Sequence, residues 1–212
     1  LYSSARCFHT SGITLALGAE VRKTAVYMIR KFKENGTLIS FDVNFRSNLW
    51  SGEEARACIC EILPYVDIFF CSEDTARLTF HKEGDVRGIL KSFTQEYPIS
   101  VVAATQRTVH SPKIHTFGSI LYHASTGRYY TEEPYRNIEV VDRIGSGDAY
   151  VSGALYGLLA HDFSCQRAVE YGNATASVKN TIPGDLPSSD LREIEQIIRD
   201  HHNSGRQSEM DR

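Results

Sequence analysis

The sequence predicts an α/β fold whose sheet is mostly parallel with some antiparallel strands. Three observations carry that expectation. Strand-like and helix-like patterns alternate through the first half, as in sheets covered by helices on both faces. Val66 to Cys71 and Ile99 to Ala104 are continuous apolar runs of the kind that buried parallel strands require. After them, closely spaced strand signals flank Ala124 to Gly127, a Gly-containing hairpin signal, so antiparallel members are expected there.

Taken in order, Cys7 to His9 gives a short strand signal. Val21, Ala25, Met28 and Phe32 recur at helical spacing until Gly36 offers a stop. Thr37 to Val43 is the next strand. Ser51 with Glu54 makes a capping box, opening a helix whose apolar Ala55, Ile59, Ile62 and Leu63 share one stripe and which Pro64 helps to end. The strand Val66 to Cys71 leads to a short helix from Ser72, a helix around Val86 to Tyr97, and the strand Ile99 to Ala104. Ser119 to His123, Arg128 to Thr131 and Ile138 to Val141 follow as strands. Beyond Asp148 the chain reads as helical, over Val151 to Leu159, Cys165 to Lys179 and Leu191 to His201, the last capped by Ser189.

With 212 residues, 42% hydrophobic and 23% charged, the chain is long enough to bury a substantial core. It is expected to form a single domain over 1–202, with 203–212 as a polar, disordered tail. A net charge of −3 and a pI near 6.3 give no broad basic field for nucleic acid or anionic lipid, so a small-molecule partner is expected and anion recognition must be local. No stretch is long and apolar enough to span a membrane. The odd set Cys7, Cys58, Cys60, Cys71 and Cys165 fits neither a disulfide scaffold nor a zinc ribbon, and reads as reduced packing thiols of a cytoplasmic protein. His115, His123, His161, His201 and His202 show no metal-ligand spacing, so no transition-metal site is expected. The first residue is Leu and the chain opens on a strand-like segment, which suggests a fragment or a truncated reading frame.

The polar clusters fall in a consistent place. Ser11-Gly12, Asp42 to Arg46, Ser72 to Thr75 and Thr105 to Arg107 each follow a predicted strand, the edge where open α/β sheets bind ligands. Gly145-Ser146-Gly147-Asp148 then links a strand to a helix. A helix start presents N–H groups without helical partners and about half a positive charge, so it suits an anion, and glycines let that anion approach. Asp148, in the first turn, is a carboxylate of the kind that accepts a hydroxyl proton during phosphoryl transfer. Taken alone, Gly-x-Gly-Asp serves equally well as a turn with a helix cap. There is no Gly-x-x-x-x-Gly-Lys-Ser/Thr loop and no protein-kinase motif set, and Tyr150 replaces the third glycine of a dinucleotide fingerprint.

The stretch Asp142-Arg143-Ile144-Gly145-Ser146-Gly147-Asp148-Ala149-Tyr150 resembles the C-terminal signature of the ribokinase-like (PfkB) carbohydrate kinases. Phe8 to Ile13, Phe41 to Trp50 and Lys179 to Asp185 resemble segments of 2-dehydro-3-deoxygluconate kinases in the same order. The resemblance implies a ribokinase-like three-layer α/β/α fold, here without the N-terminal strands and lid, and ATP-dependent phosphorylation of a sugar-acid hydroxyl. It implies an anion hole from Gly145, Ser146 and Gly147, Asp148 as base, and Arg46 and Asp185 near the substrate. Nucleotide contacts would come from Asn44, Ser72, Thr105, Gln106, Arg107, Gly145, Gly147 and Asn173. The implied cofactors are ATP, Mg2+ and a monovalent cation such as K+. The resemblance allows a homo-oligomer of the full-length form, since dimerisation in the family often uses the lid that is missing here.

Ser72-Glu73-Asp74-Thr75 departs from the family's usual Asn-x-x-Glu, leaving Glu73 and Asp74 as the metal candidates. A fructokinase or ribokinase activity, or a catalytically inactive nucleotide-binding fragment, are the alternatives.

Overall fold

The computed structural model of the chain describes residues 2–207, which pack as two compact units. One comprises the residues up to Ala104 together with Leu121–Tyr129; the other comprises Thr105–Ile120 and the residues from Tyr130 onward. Parallel and antiparallel strands are both present.

In the first unit, β1 (Cys7–Ser11), β2 (Leu38–Asp42), β3 (Ile68–Phe70) and the start of β4 (Val101–Ser111) pair in that order, all parallel. The register places Ser11 beside Asp42, Asp42 beside Phe70, and Phe70 beside Ala103, so the carboxyl ends of β1 to β3 lie in one row, level with an early residue of β4. Between them run α1 (Gly12–Ala16), α2 (Ala19–Glu34), α3 (Gly52–Ile62), α4 (Glu73–Phe80) and α5 (Val86–Glu96). Phe69, Phe80 and Phe93 make edge-to-face contacts with centroids 5.0 to 6.2 Å apart, joining β3, α4 and α5 in one aromatic core.

Both arms of the Ser51–Glu54 capping box are present. The buried stripe of α2 is Ala25, Ile29 and Phe32, while Val21 at its start is exposed, because Leu17 and Val21 belong to a turn of chain that the core does not cover. β3 is shorter than the apolar run around it. Val66 closes a 3-10 turn on Leu63, and Val66 and Cys71 are buried outside the strand. The five cysteines are free thiols, of which Cys71 and Cys165 are buried and the others half-buried, and burial pushes Cys7 and Cys165 up to about 11.

In the second unit, β5 (Ile114–His123) pairs antiparallel with β7 (Tyr135–Glu139), with a bulge between His115 and Phe117. The short β6 (Arg128–Tyr130), whose first two residues belong to the first unit, precedes β7 in the chain. The strand expected over Ile138 to Val141 therefore begins earlier. Val141 and Asp142 have left it, and both donate to the Asn180 carbonyl at the end of α7 (Cys165–Asn180).

α6 (Ser146–Ala160) crosses α7 at glycine contacts. A Cβ on Gly153 would lie 2.5 Å from the Tyr171 carbonyl oxygen, and one on Gly157 would lie 2.5 Å from that of Arg167. Tyr171 and Ala174 of α7 pack on Ile194 and Ile198 of α8 (Leu191–Gln207). α8 is capped by Asp190, whose carboxylate accepts from the Glu193 N–H at 2.9 Å, one residue after the expected Ser189. The helix also runs to Gln207, through the start of the segment expected to be a disordered tail. Residues 208–212 lie outside the described residues.

Candidate active site

The Gly145 turn is set by sterics. Gly145 has φ 77°, a left-handed conformation that disfavours side chains. A Cβ there would sit 1.9 Å from the Asp185 carbonyl oxygen, so the turn lies directly on the loop that follows α7. The same two segments are joined through Asp142, whose carboxylate accepts from the N–H groups of Ile144 (3.0 Å) and Gly184 (3.1 Å). The Ile144 N–H first, then Gly184 and the Lys179 charge, hold that carboxyl below its ordinary value.

The Ser146 N–H donates to the Arg143 carbonyl at 3.2 Å, which moves the candidate anion cradle toward Gly147. Gly147 is exposed, and a Cβ added there would meet nothing within 4 Å, so its main chain is open to a ligand. Asp148 follows, exposed, in the first turn of α6. Asp185 is exposed on the facing loop.

Thr105, Gln106 and Arg107 do not end a strand as expected. β4 continues to Ser111, its buried half stopping at Ala104 while the backbone stays extended through exposed residues. Arg107 lies close enough to Arg143 that burial and then the like charge lower its pKa. Burial, then Arg107, Arg143 and His110, likewise disfavour a proton on His115. Arg107 and Arg143 thus form a local like-charge pair two residues before the turn, beside a His115 whose proton is disfavoured. Its presence was not apparent from motif spacing, because Arg107 and Arg143 come from distant segments.

Asn173 does not border an open surface. It is fully buried, and its amide donates to Glu132 at 2.9 Å. Burial pushes the Glu132 carboxyl up to about 7, with the nearby Glu170 adding to the effect against the Asn173 hydrogen bond.

In the first unit, Asn44 adopts φ 37° just beyond β2, and its N–H donates to the Asp42 carboxylate at 3.2 Å in a local turn. Arg46 is exposed two residues later. Ser72 caps α4 through its side chain, accepting from the Thr75 N–H. Glu73 pairs with Arg77 at 2.6 Å on the same helix. Ser11, Asp42 to Arg46 and Ser72 to Thr75 therefore share the carboxyl edge of β1 to β3, as expected, whereas the Thr105 cluster does not end its strand. Among the described residues, no group of three or more His, Cys, Asp or Glu side chains is arranged to hold a metal ion, and no helix is long and apolar enough to cross a membrane.

The parallel sheet, the antiparallel addition and the glycine turn at the α6 start define a ribokinase-like α/β protein. Residues 1–190 match the family model described as pfkB family carbohydrate kinase, and the chain belongs to that family. It is 32% identical over 199 residues to a 2-dehydro-3-deoxygalactonokinase of Haloferax volcanii, covering 94% of this chain and 59% of that protein. The structure of a 2-dehydro-3-deoxygluconokinase from Thermotoga maritima superposes with a TM-score of 0.86 at 29% identity, covering 92% of this chain and 60% of that one. An Escherichia coli protein described as ribokinase II, in complex with ATP and Mg2+, gives 0.76 at 26% identity over 92% of this chain and 59% of its own. The chain thus spans about three fifths of the length of these relatives.

Proposed function

We propose that the chain carries the nucleotide-binding and catalytic part of a sugar-acid kinase, which transfers the γ-phosphoryl group of ATP to 2-dehydro-3-deoxy-D-gluconate to give its 6-phosphate. The observation that carries this reading is the exposed Asp148 carboxylate in the first turn of α6, directly after the open main chain of Gly147. The substrate class is taken from the names of the Haloferax volcanii and Thermotoga maritima relatives.

In this reading Asp148 accepts the proton of the attacking hydroxyl, a contribution of about 10²- to 10⁴-fold. The α6 start and Gly147 main chain take up charge on the transferring group, in the manner of an oxyanion site. Arg107 and Arg143 add positive charge for the nucleotide phosphates. Arg46, whose planar fork suits a carboxylate, is assigned to the sugar acid, as is Asp185 to its hydroxyls. Magnesium would neutralise phosphate charge. It commonly keeps phosphate and water ligands with only one or two carboxylates; Glu73 is already paired with Arg77, so Asp74 is the candidate carboxylate that would hold it. A monovalent cation such as K+ near the anion cradle would add further positive charge for the transferring group.

A coupled ADP-release assay with ATP and Mg2+ tests the proposal. The panel is 2-dehydro-3-deoxygluconate, its galactonate epimer, fructose and ribose. Turnover is expected with the sugar acids in preference to the neutral sugars. Preference for fructose or ribose would reassign the substrate, and nucleotide binding without ADP release from any of them would favour an inactive nucleotide-binding chain.

A further inference from the structure

Lys179 is completely buried in the last turn of α7. Its ammonium donates to two main-chain carbonyls, Asp142 at 3.1 Å and Ile182 at 2.9 Å. Burying an ammonium is costly unless its donors are used, and an apolar side chain of similar length would fill the same space without that cost. The charge therefore calls for an explanation beyond packing. Its two acceptors belong to different segments: Asp142 lies three residues before Gly145, and Ile182 lies in the loop that carries Asp185. The C-terminal end of a helix is also where a cation is favoured, because the helix carbonyls point toward it.

We propose that Lys179 is a positioning residue, whose ammonium fixes the segment leading into the Asp148 turn against the 182–185 loop. The phosphoryl-transfer part of this proposal rests on the kinase reading given above. The tether has three strands. Lys179 holds the Asp142 and Ile182 carbonyls, the Asp142 carboxylate holds the Ile144 and Gly184 N–H groups, and Gly145 packs on the Asp185 main chain. Lys179 is the only one of the three that brings a charge from α7 itself, so it references the turn to the helix on which α6 packs. Without the ammonium, two inward-facing carbonyls lose their donor, and the segment before Gly145 gains freedom at the point where the Asp148 carboxylate must be aimed.

The test compares Lys179→Met, which keeps length and loses the donors, with Lys179→Gln, which keeps an N–H donor and loses the charge. For each, kcat, KM for the sugar acid, thermal midpoint and amide hydrogen exchange at Ile144 and Gly184 are measured. A displacement of about 1 Å costs roughly 10²-fold in rate, so Lys179→Met is expected to lose about 10²-fold in kcat with KM little changed. Exchange should accelerate at Ile144 and Gly184 and remain slow in the α6 and α7 interiors. Lys179→Gln should fall between wild type and Met, and it supplies the decision if Met does not fold. Wild-type kcat and unchanged exchange in either variant would overturn the proposal, as would a uniform loss of protection across α6 and α7, which marks a packing role alone. If the unaltered protein turns over no substrate, the kinase reading fails, and the exchange at Ile144 and Gly184 still decides the tether.

Discussion

Gly145 and Asp185 meet main chain to main chain. The position that a Cβ of residue 145 would occupy is 1.9 Å from the Asp185 carbonyl oxygen, and Gly145 is already in the left-handed region. Gly145→Ala is therefore expected to destabilise the protein by about 1–3 kcal/mol and to push the turn away from the 182–185 loop. Thermal unfolding should show a lowered midpoint, and ADP release should be lost although Asp148 is intact.

Gly147→Ala makes the opposite separation. A Cβ there meets nothing within 4 Å, so the thermal midpoint should move little, with a shift of at most about 1 kcal/mol from helix propensity. The methyl group would stand where a phosphate must approach the main chain. KM for ATP is expected to rise; an unchanged KM would remove Gly147 from the cradle.

Asp148→Asn keeps the shape of the side chain and abolishes its basicity. Turnover should fall by about 10²- to 10⁴-fold while ATP affinity stays near wild type. Single-turnover kinetics separate this loss from slower product release.

Gly153 and Gly157 let α6 lie against the α7 backbone. Alanine at either position must move a helix, since each Cβ would be 2.5 Å from a main-chain oxygen. Each substitution is expected to cost about 1–3 kcal/mol in denaturant unfolding.

Glu132 supplies a pH dependence whose sign is fixed by its burial. Its carboxyl is raised from 4.5 to about 7 in the folded protein, so the native state binds the proton more tightly than the unfolded chain. The stability this group contributes is complete below about pH 4.5 and is lost as pH rises toward about 7, at up to about 1.4 kcal/mol per pH unit. Glu132→Gln should abolish that component. The difference between mutant and wild-type melting midpoints, followed across this range, isolates it from other carboxylates; a difference that does not grow with pH would refute the assignment.

The parallel half of the fold and its edge were readable because buried parallel strands leave continuous apolar runs, as around Phe69 and Val102, and because capping chemistry marks starts such as Ser51. The extension of β4 was not readable. Hydrophobicity ends at Ala104, but main-chain pairing does not depend on it, and Thr105 to Ser111 carry a polar exposed strand. Ser189 and Asp190 are both good caps, and only geometry chooses between them. The position of Asp148 could be inferred because glycine and carboxylate are adjacent in sequence. The burial of Asn173 and Lys179 could not, because polar side chains in a helix reveal nothing of what packs over them until α7 is placed against Glu132 and Asp142.

The Asp142–Gly184 hydrogen bond spans 42 residues. During synthesis, the ribosome must deliver the whole of α6 and α7 and the loop beyond before Asp142 can find its second partner. The turn that presents Asp148 therefore cannot take its final geometry until Gly184 has been made, and a nascent chain stalled before Gly184 would lack that second partner of Asp142.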